Sequence, residues 1–453
     1  MVVEAARASF RGGRPVVRLS QMIRYLALTA IIVVASCRPV NQLDRRPSAP
    51  IPAGGFAMTD ALRIADQHRV QAIVNRRIPH EAYWSALQPS LVSPRLKVEE
   101  VGKSMMGRPI RSIAFGTGPT KVLLWSQMHG DEATASMALA DLLAWMTASS
   151  ADGIRDRVAR SLTIVMIPML NPDGAERFQR ENAIGIDINR DARRLSTPEA
   201  RALKGVHDRF KPDFGFNLHD QNARTRVGRT GMQAAIALLA PAQDSARSWP
   251  PLRERARLIA AGLARDFDSQ IPGRVSKYDD TFNPRAFGDL MGQWGTSTIL
   301  IESGAMPNDP DKQGLRRLNA AAILRTLDAI ATRSYEQFDP ADYEKLLFNT
   351  SGALDLLVRG GRIVVPGLQP IVADLAINFE DPVARTGGRI RDVGDLSGTI
   401  AVDTIDATGA FIHARPEALT TNGAPGYLTI GARSALDIRE TADTASTLKR
   451  RIQ

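Results

Sequence analysis

The stretch KVLLWSQMHGDEATASMALADLLAWM, residues 121–146, joins a short apolar run to a polar turn and then to a long apolar segment. A short apolar run that ends in a turn is typical of a buried strand, whereas the longer segment has the length of a helix. Runs of the first kind return at 162–170, 214–218 and 296–301. The alternation predicts an α/β fold, a mixed and mostly parallel sheet with helices on both faces.

Helical patterns lie between these runs, at 133–146, 197–210 and 251–267. The second opens with Thr197 as a candidate N-cap and Pro198 at the first helical position, the order expected at a helix start.

The composition and pattern of the sequence change after residue 341. Residues 354–438 are rich in Gly and Val and consist of short apolar runs broken by turns. This pattern predicts a smaller all-β domain over 342–453. The α/β domain then spans 59–341, behind a leader over 1–37 and a Pro-rich, polar linker over 38–58.

The leader has the features of an export signal. Basic residues, Arg11, Arg14, Arg18 and Arg24, precede the apolar run 25–35, which is too short to cross a membrane comfortably and is followed by Ser36 and Cys37. Residues 34–37 resemble a bacterial lipobox, which implies lipidation of Cys37 and a membrane anchor. A signal that is simply cleaved is the alternative. Either reading predicts export to a bacterial cell envelope, in the periplasm or at the outer membrane.

Charge and cysteine content exclude some classes of protein. The net charge is +10, but the arginines are scattered rather than gathered with aromatic residues in a stripe, so we expect no nucleic-acid partner. The chain has one cysteine, which excludes an intramolecular disulfide and a Cys-rich zinc module.

Polar residues follow each predicted strand, and ligands in α/β sheets bind beyond the carboxyl ends of the strands. Two imidazoles and one carboxylate form a usual ligand set for a catalytic zinc ion. His129, Glu132 and His219 fit this set, and Glu302 ends its own apolar strand as a candidate general base. The alternative is a purely structural role, in which the His-x-x-Glu pair is an ordinary turn before a helix.

The combined pattern resembles the zinc carboxypeptidase family, whose founding member is pancreatic carboxypeptidase A, and with the lipobox it resembles a bacterial lipoprotein-type member. The resemblance covers about 98–330. It is carried, in the family's order, by Gly107-Arg-Pro-Ile110, His129-x-x-Glu132, Asn171-Pro-Asp-Gly174, Asn189-Arg190, His219 and Glu302.

The resemblance implies one bound Zn²⁺ held by the two histidines and Glu132, and water activated by Glu302. It further implies a substrate-carboxylate clamp at Asn189 and Arg190, a carbonyl-polarising arginine at Arg180 and a closing tyrosine at Tyr278.

Three features depart from the family pattern. Only 14 residues separate Gly174 from Asn189, which leaves Arg177 as a second candidate for the carbonyl-polarising arginine. Asp191 could pair with Arg190 and weaken the clamp. The polar run 220–222 after His219 is unusual and indicates a polar substrate.

The leading hypothesis is therefore a zinc metallocarboxypeptidase, with its peptidase domain at 59–341. It would hydrolyse a peptide or isopeptide amide next to a free carboxylate, in peptides or in cell-wall stem peptides. The alternatives are a zinc-dependent deacylase of N-acyl amino acids and a non-catalytic surface binding lipoprotein. The role of the β domain stays open.

Overall fold

A computed structural model describes residues 56–419 and 428–452. The predicted signal, Cys37 and most of the predicted linker lie outside the described residues. The described residues group into one compact unit. Two large sheets form within this unit. One lies in the region predicted to be α/β and the other in the region predicted to be all-β.

The first sheet has eight strands, in the order β1-β2-β4-β3-β5-β9-β7-β8. Its central pairs, β4 with β3, β3 with β5 and β5 with β9, are parallel. The strands of this half, with the short β6 that lies outside the sheet, are β1 Leu96–Lys103, β2 Pro109–Phe115, β3 Thr120–Ser126, β4 Leu162–Ile167, β5 Phe214–Asp220, β6 Arg226–Val227, β7 Ile236–Leu239, β8 Val275–Lys277 and β9 Ser297–Ser303.

Helices cover both faces of this sheet. Their bounds are α1 Met58–Gln67, α2 His80–Leu91, α3 Thr134–Thr147, α4 Gly153–Ser161, α5 Pro172–Arg177, α6 Pro198–Phe210, α7 Pro251–Asp268, α8 Phe287–Gln293, α9 Gln313–Thr332 and α10 Ala341–Glu344. The predicted N-cap is confirmed, because the Thr197 side chain accepts a hydrogen bond from the Ala200 amide at the start of α6.

Strand β3 shows why the central strands read as continuous apolar runs. Successive side chains of a strand point to opposite faces. Val122 and Leu124 pack in the core under α3 and α9, whereas Leu123 and Trp125 pack in the core under α6 and α8. All four are fully buried, so both faces of the strand are covered. The predicted α/β architecture is confirmed.

The C-terminal region forms a seven-stranded sheet with its own apolar core, which confirms the predicted all-β part. The order is β13-β12-β11-β15-β16-β17, and β14 pairs with β11. The short β10 instead pairs with β6 of the first half. The bounds are β10 Asn349–Thr350, β11 Leu354–Val364, β12 Ile371–Asp381, β13 Thr386–Gly394, β14 Ala401–Asp406, β15 Phe411–Ala414, β16 Leu436–Arg439 and β17 Leu448–Ile452.

Polar contacts join the two halves close to the ends of the central strands. The Arg224 guanidinium donates to the buried Asp355 carboxylate at 2.8 Å. The Asn349 amide donates to Gln221 Oε1 at 3.0 Å, immediately after β5. The segment that leads into the second sheet therefore lies beside the carboxyl ends of the first. No helix in the described parts of the chain is long and apolar enough to cross a membrane.

Candidate metal centre and substrate cleft

The polar residues predicted to act together meet at one edge of the first sheet. His129 and Glu132 follow β3, while His219 and Glu302 lie near the carboxyl ends of β5 and β9 and are direct partners across these strands. Because β3, β5 and β9 are neighbouring parallel strands, their carboxyl ends share an edge.

The three predicted ligands form a tight cluster. His129 Nδ1 lies 2.7 Å from Glu132 Oε1, and His219 Nδ1 lies 2.7 Å from Glu132 Oε2. The two Nδ1 atoms are 3.2 Å apart. One ligand atom from each residue falls within 4.8 Å of the others, and all three residues are buried.

This arrangement is compatible with a bound metal ion. Two ligand nitrogens about 2.05 Å from a tetrahedral zinc ion are about 3.3 Å apart, close to the separation of the two Nδ1 atoms. His129 Nε2 lies 3.0 Å from Asp187 Oδ1, which holds the proton on Nε2 and leaves the Nδ1 lone pair for a ligand. The donor set of two imidazoles and a carboxylate matches catalytic zinc sites.

The protonation states of the cluster depend on these contacts. Burial alone would lower the pKa of His129, but the Glu132 and Asp187 carboxylates raise it to about 9. Burial opposes the charge on Glu132, yet the two imidazoles hold the pKa of its carboxyl well below the usual range. Burial lowers the pKa of His219, so its ring is neutral at pH 7. Without metal, the cluster therefore holds a proton on His129.

Glu302 lines the same cleft as the three ligands. Burial, followed by the negative charge of Glu132, raises the pKa of its carboxyl to about 8. A carboxylate with a pKa near neutrality is well matched to accept and return a proton.

Arg180 reaches the cluster, whereas Arg177 does not. Arg180 Nη1 lies 3.0 Å from His129 Nδ1 and donates to Glu132 Oε1 at 3.1 Å, while Nη2 donates to Asp187 Oδ2 at 2.9 Å. Arg177 is exposed, near a methionine sulfur, and does not line the cleft. Of the two candidate arginines, only Arg180 is within reach of a substrate carbonyl at this cluster.

Asn189 and Arg190 lie in a short 3₁₀ turn at the rim of the cleft. The Asn189 side-chain oxygen accepts a hydrogen bond from the Phe287 amide at 2.9 Å, which fixes the side chain and leaves its NH₂ group for a ligand. The suspected pairing of Asp191 with Arg190 is wrong. Asp191 is buried and instead accepts hydrogen bonds from Ser196 and Thr197 at the start of α6.

Tyr278 also lines the cleft, which has a volume of about 510 Å³. The charge of Glu302, and then burial, raises the pKa of its phenol to about 12, so the hydroxyl remains a donor across the physiological range. Asp289 lies in the same wall, and burial raises the pKa of its carboxyl to about 6.

The Asn171-Pro-Asp-Gly174 motif holds the loop that carries His129 in place. Asn171 caps α5 by accepting from the Gly174 amide, and Asp173 is buried beneath the β1–β2 turn, where it accepts from Arg108 at 2.7 Å. Gly130 packs directly on this element, because a Cβ at Gly130 would lie 1.9 Å from the Gly174 carbonyl carbon. The turn motif thus supports the loop that carries His129.

Sequence reasoning missed several residues of the site. Asp187 contacts His129 and Arg180, and no local sequence pattern indicates these contacts. The cleft also includes Asn349, Thr350 and Ser351, more than 120 positions from Gln221. The polar run 220–222 after His219 indicated that this side of the cleft is polar. It did not indicate that residues 349–351 pack beside it.

The sheet thus carries a His–Glu–His cluster at its strand ends, beside a buried acid, a set of groups typical of metal-dependent hydrolases. Residues 81–225 match the family model described as zinc carboxypeptidase. The matched segment contains all three candidate ligands and ends before Glu302.

Curated relatives agree with this match. Probable carboxypeptidase 2 of Trichophyton verrucosum (strain HKI 0517) is 30% identical over 128 residues, which are 27% of this chain and 24% of the relative. Carboxypeptidase SOL1 of Arabidopsis thaliana is 28% identical over 102 residues, 21% of each chain. The chain thus spans about a quarter of the length of the curated relatives it matches.

Some solved structures are also similar to this chain. The metallo-carboxypeptidase from Burkholderia cenocepacia aligns with 56% of this chain and 69% of its own, at a TM-score of 0.44 and 19% identity. Thrombin activatable fibrinolysis inhibitor aligns with 61% of this chain and 80% of its own, at a TM-score of 0.47 and 14% identity.

Proposed function

We propose that this protein is a zinc-dependent metallocarboxypeptidase, which hydrolyses a peptide or isopeptide amide bond next to a free carboxylate. The observation that carries the proposal is the convergence of His129, Glu132 and His219 at one point, with Glu302 in the same cleft. The family match over 81–225 supports the same activity.

His129, Glu132 and His219 would hold the zinc ion. When bound, zinc supplies Lewis-acid polarisation of the scissile carbonyl and lowers the pKa of the attacking water. Glu302 would take the proton from the water and return it to the leaving amine. Its raised pKa supports both transfers, since the same group must accept a proton and then release it.

Two further groups have the chemistry for substrate binding. Arg190, with the NH₂ group of Asn189, would hold the substrate's free carboxylate, because a guanidinium pairs with a carboxylate through two parallel hydrogen bonds. Arg180 would donate to the carbonyl oxygen as negative charge develops there. Tyr278, protonated at neutral pH, would close over the substrate and donate from its hydroxyl.

Metal analysis combined with a panel of peptides tests the proposal. The purified protein should contain about one zinc per chain and release C-terminal residues from unblocked peptides, but not from C-terminally amidated ones. Glu302→Gln should retain zinc and lose activity by about 10²–10⁴-fold. His219→Ala should lose both. Glu81→Gln, an exposed site on α2, is the matched control and should behave as wild type. Full activity of Glu302→Gln would refute the proposed base.

The same panel separates the alternative enzyme class. Release of a small acid from N-acyl amino acids, without cleavage of peptides, would instead identify a deacylase. The family match and the curated relatives do not favour that reading. A binding lipoprotein would take up no zinc and would show no hydrolysis of either substrate class.

We further propose that the protein is exported and anchored in a bacterial cell envelope through Cys37, where it would act on peptides or cell-wall stem peptides. The support is the basic, apolar and small-residue order of residues 11–37. Metabolic labelling with a fatty acid should tag the wild-type protein and not Cys37→Ala. Equal labelling of both would refute the anchor.

A further inference from the structure

A buried ion pair lies directly behind the metal-ligand cluster. Lys312 Nζ donates to Asp220 Oδ2 at 2.9 Å, and the two side chains are only 4% and 6% exposed. Burying such a pair costs desolvation energy that mutual attraction offsets only in good geometry, so stability alone is a weak reason for its presence. Its contacts indicate another role.

Asp220 connects the two chain segments that carry the ligands. It follows His219 at the end of β5, and its amide donates to Glu132 Oε2 at 3.1 Å. Its carboxylate also accepts from Thr134 Oγ1 at 2.7 Å, two residues beyond Glu132. One residue therefore holds the end of β5 against the beginning of α3.

Lys312 extends this connection to the proposed base. Its ammonium donates to the Ser303 carbonyl at 3.2 Å, one residue beyond Glu302 on β9. The backbone of Lys312 is left-handed, with φ of 53°, a conformation that non-glycine residues adopt at a cost and that tends to persist where the surroundings require it. That turn at the start of α9 aims the side chain at the strand ends.

We propose that Lys312 and Asp220 form an outer support for the metal centre, in which Lys312 is a positioning residue. The pair fixes Glu132, His219 and Glu302 relative to one another through the main chain of Ser303 and through the amide and the carboxylate of Asp220. The part that concerns hydrolysis rests on the proposed function, whereas the part that concerns metal affinity is measured independently of any substrate.

A purely electrostatic role gives the opposite expectation. An ammonium close to a cation site repels the ion, so removing its charge alone would tighten metal binding. Removing a support of the ligands loosens metal binding, by about 10–100-fold for outer-shell groups of this kind. The direction of the change in affinity therefore distinguishes the two roles.

The experiment is competition with a chelator for zinc, using wild type, Lys312→Met and Lys312→Gly. Both variants should bind zinc about 10–100-fold more weakly. Their kcat should fall, while KM stays within about twofold, because the substrate clamp at Asn189 and Arg190 is untouched. Lys345→Met, an exposed lysine paired with Asp342, is the matched control and should match wild type.

The two variants also separate the side chain from the backbone. Glycine adopts a left-handed φ freely, so wild-type affinity in Lys312→Gly would show that only the turn matters, which overturns the proposal. Unchanged or tighter binding in Lys312→Met overturns it as well. If that variant does not melt cooperatively, Thr134→Val tests the other end of the support, where several-fold weaker binding is expected and unchanged binding refutes it.

Failure of the proposed function gives a different result. Wild type would then bind zinc and cleave no peptide, and the zinc affinities of the variants would still decide the role of Lys312.

Discussion

Proton release on metal binding is the sharpest consequence of the cluster's electrostatics. With a pKa of about 9, His129 is neutral in only about 1% of the metal-free protein at pH 7. Zinc binds the neutral imidazole, so binding must displace about one proton from His129. The proton from His129 alone should therefore make the apparent affinity for zinc rise about tenfold per pH unit between pH 6 and pH 8.

Glu302 should also release protons when zinc binds. With a pKa of about 8, it is about nine-tenths protonated at pH 7 in the metal-free protein, and a nearby dication lowers its pKa. Up to about 0.9 proton more should leave when zinc binds. Glu302→Gln removes this contribution and leaves that of His129 in place.

Calorimetric titration with zinc at pH 7, in two buffers of different ionisation enthalpy, counts these protons. Counts are compared between variants, because water bound to the ion also releases protons. Glu302→Gln should release up to about 0.9 proton fewer than wild type. Asp187→Asn should also release fewer, since it removes a carboxylate that raises the pKa of His129. Equal counts in all three proteins would refute this account.

Three other predictions follow from the site. Gly130→Ala should lower the free energy of unfolding by about 1–3 kcal/mol in chemical denaturation, because its methyl group would overlap the Gly174 backbone; an unchanged midpoint would contradict this packing. Arg190→Lys should raise KM about 10–100-fold in steady-state kinetics, through loss of the two-pronged carboxylate contact, and an unchanged KM would exclude the clamp. Glu302→Gln should raise the melting temperature of the metal-free protein strongly at pH 9 and much less at pH 5. The folded carboxyl has a raised pKa, so wild type loses stability as pH rises from about 4.5 to about 8; a pH-independent difference would contradict this.

Much of this architecture could be predicted because β3, β5 and β9 are buried on both faces and therefore read as continuous apolar runs. The position of the site could also be predicted once the strands are identified. Parallel pairing brings the ends of these strands, and with them His129, His219 and Glu302, to one edge of the sheet. Local signals of this kind need no knowledge of distant contacts.

What could not be predicted depends on contacts between segments far apart in the chain. Asp220 and Lys312 are 92 positions apart, and no pattern around either residue indicates the other. The burial of Asp191 could not be predicted for a related reason. Its neighbour Arg190 is the obvious partner in sequence, but the amides at the start of α6 lie closer in the fold.

Strand β10 gives the two halves a shared boundary. Residues 349–351 line the cleft while β10 itself pairs with β6, so the cleft is walled in part by the segment that leads into the second sheet. A shortened version that ends at residue 341 would lack this wall. Exchanging residues 349–351 would thus change the shape of the cleft, even though His129, Glu132, His219 and Glu302 all lie in the first half.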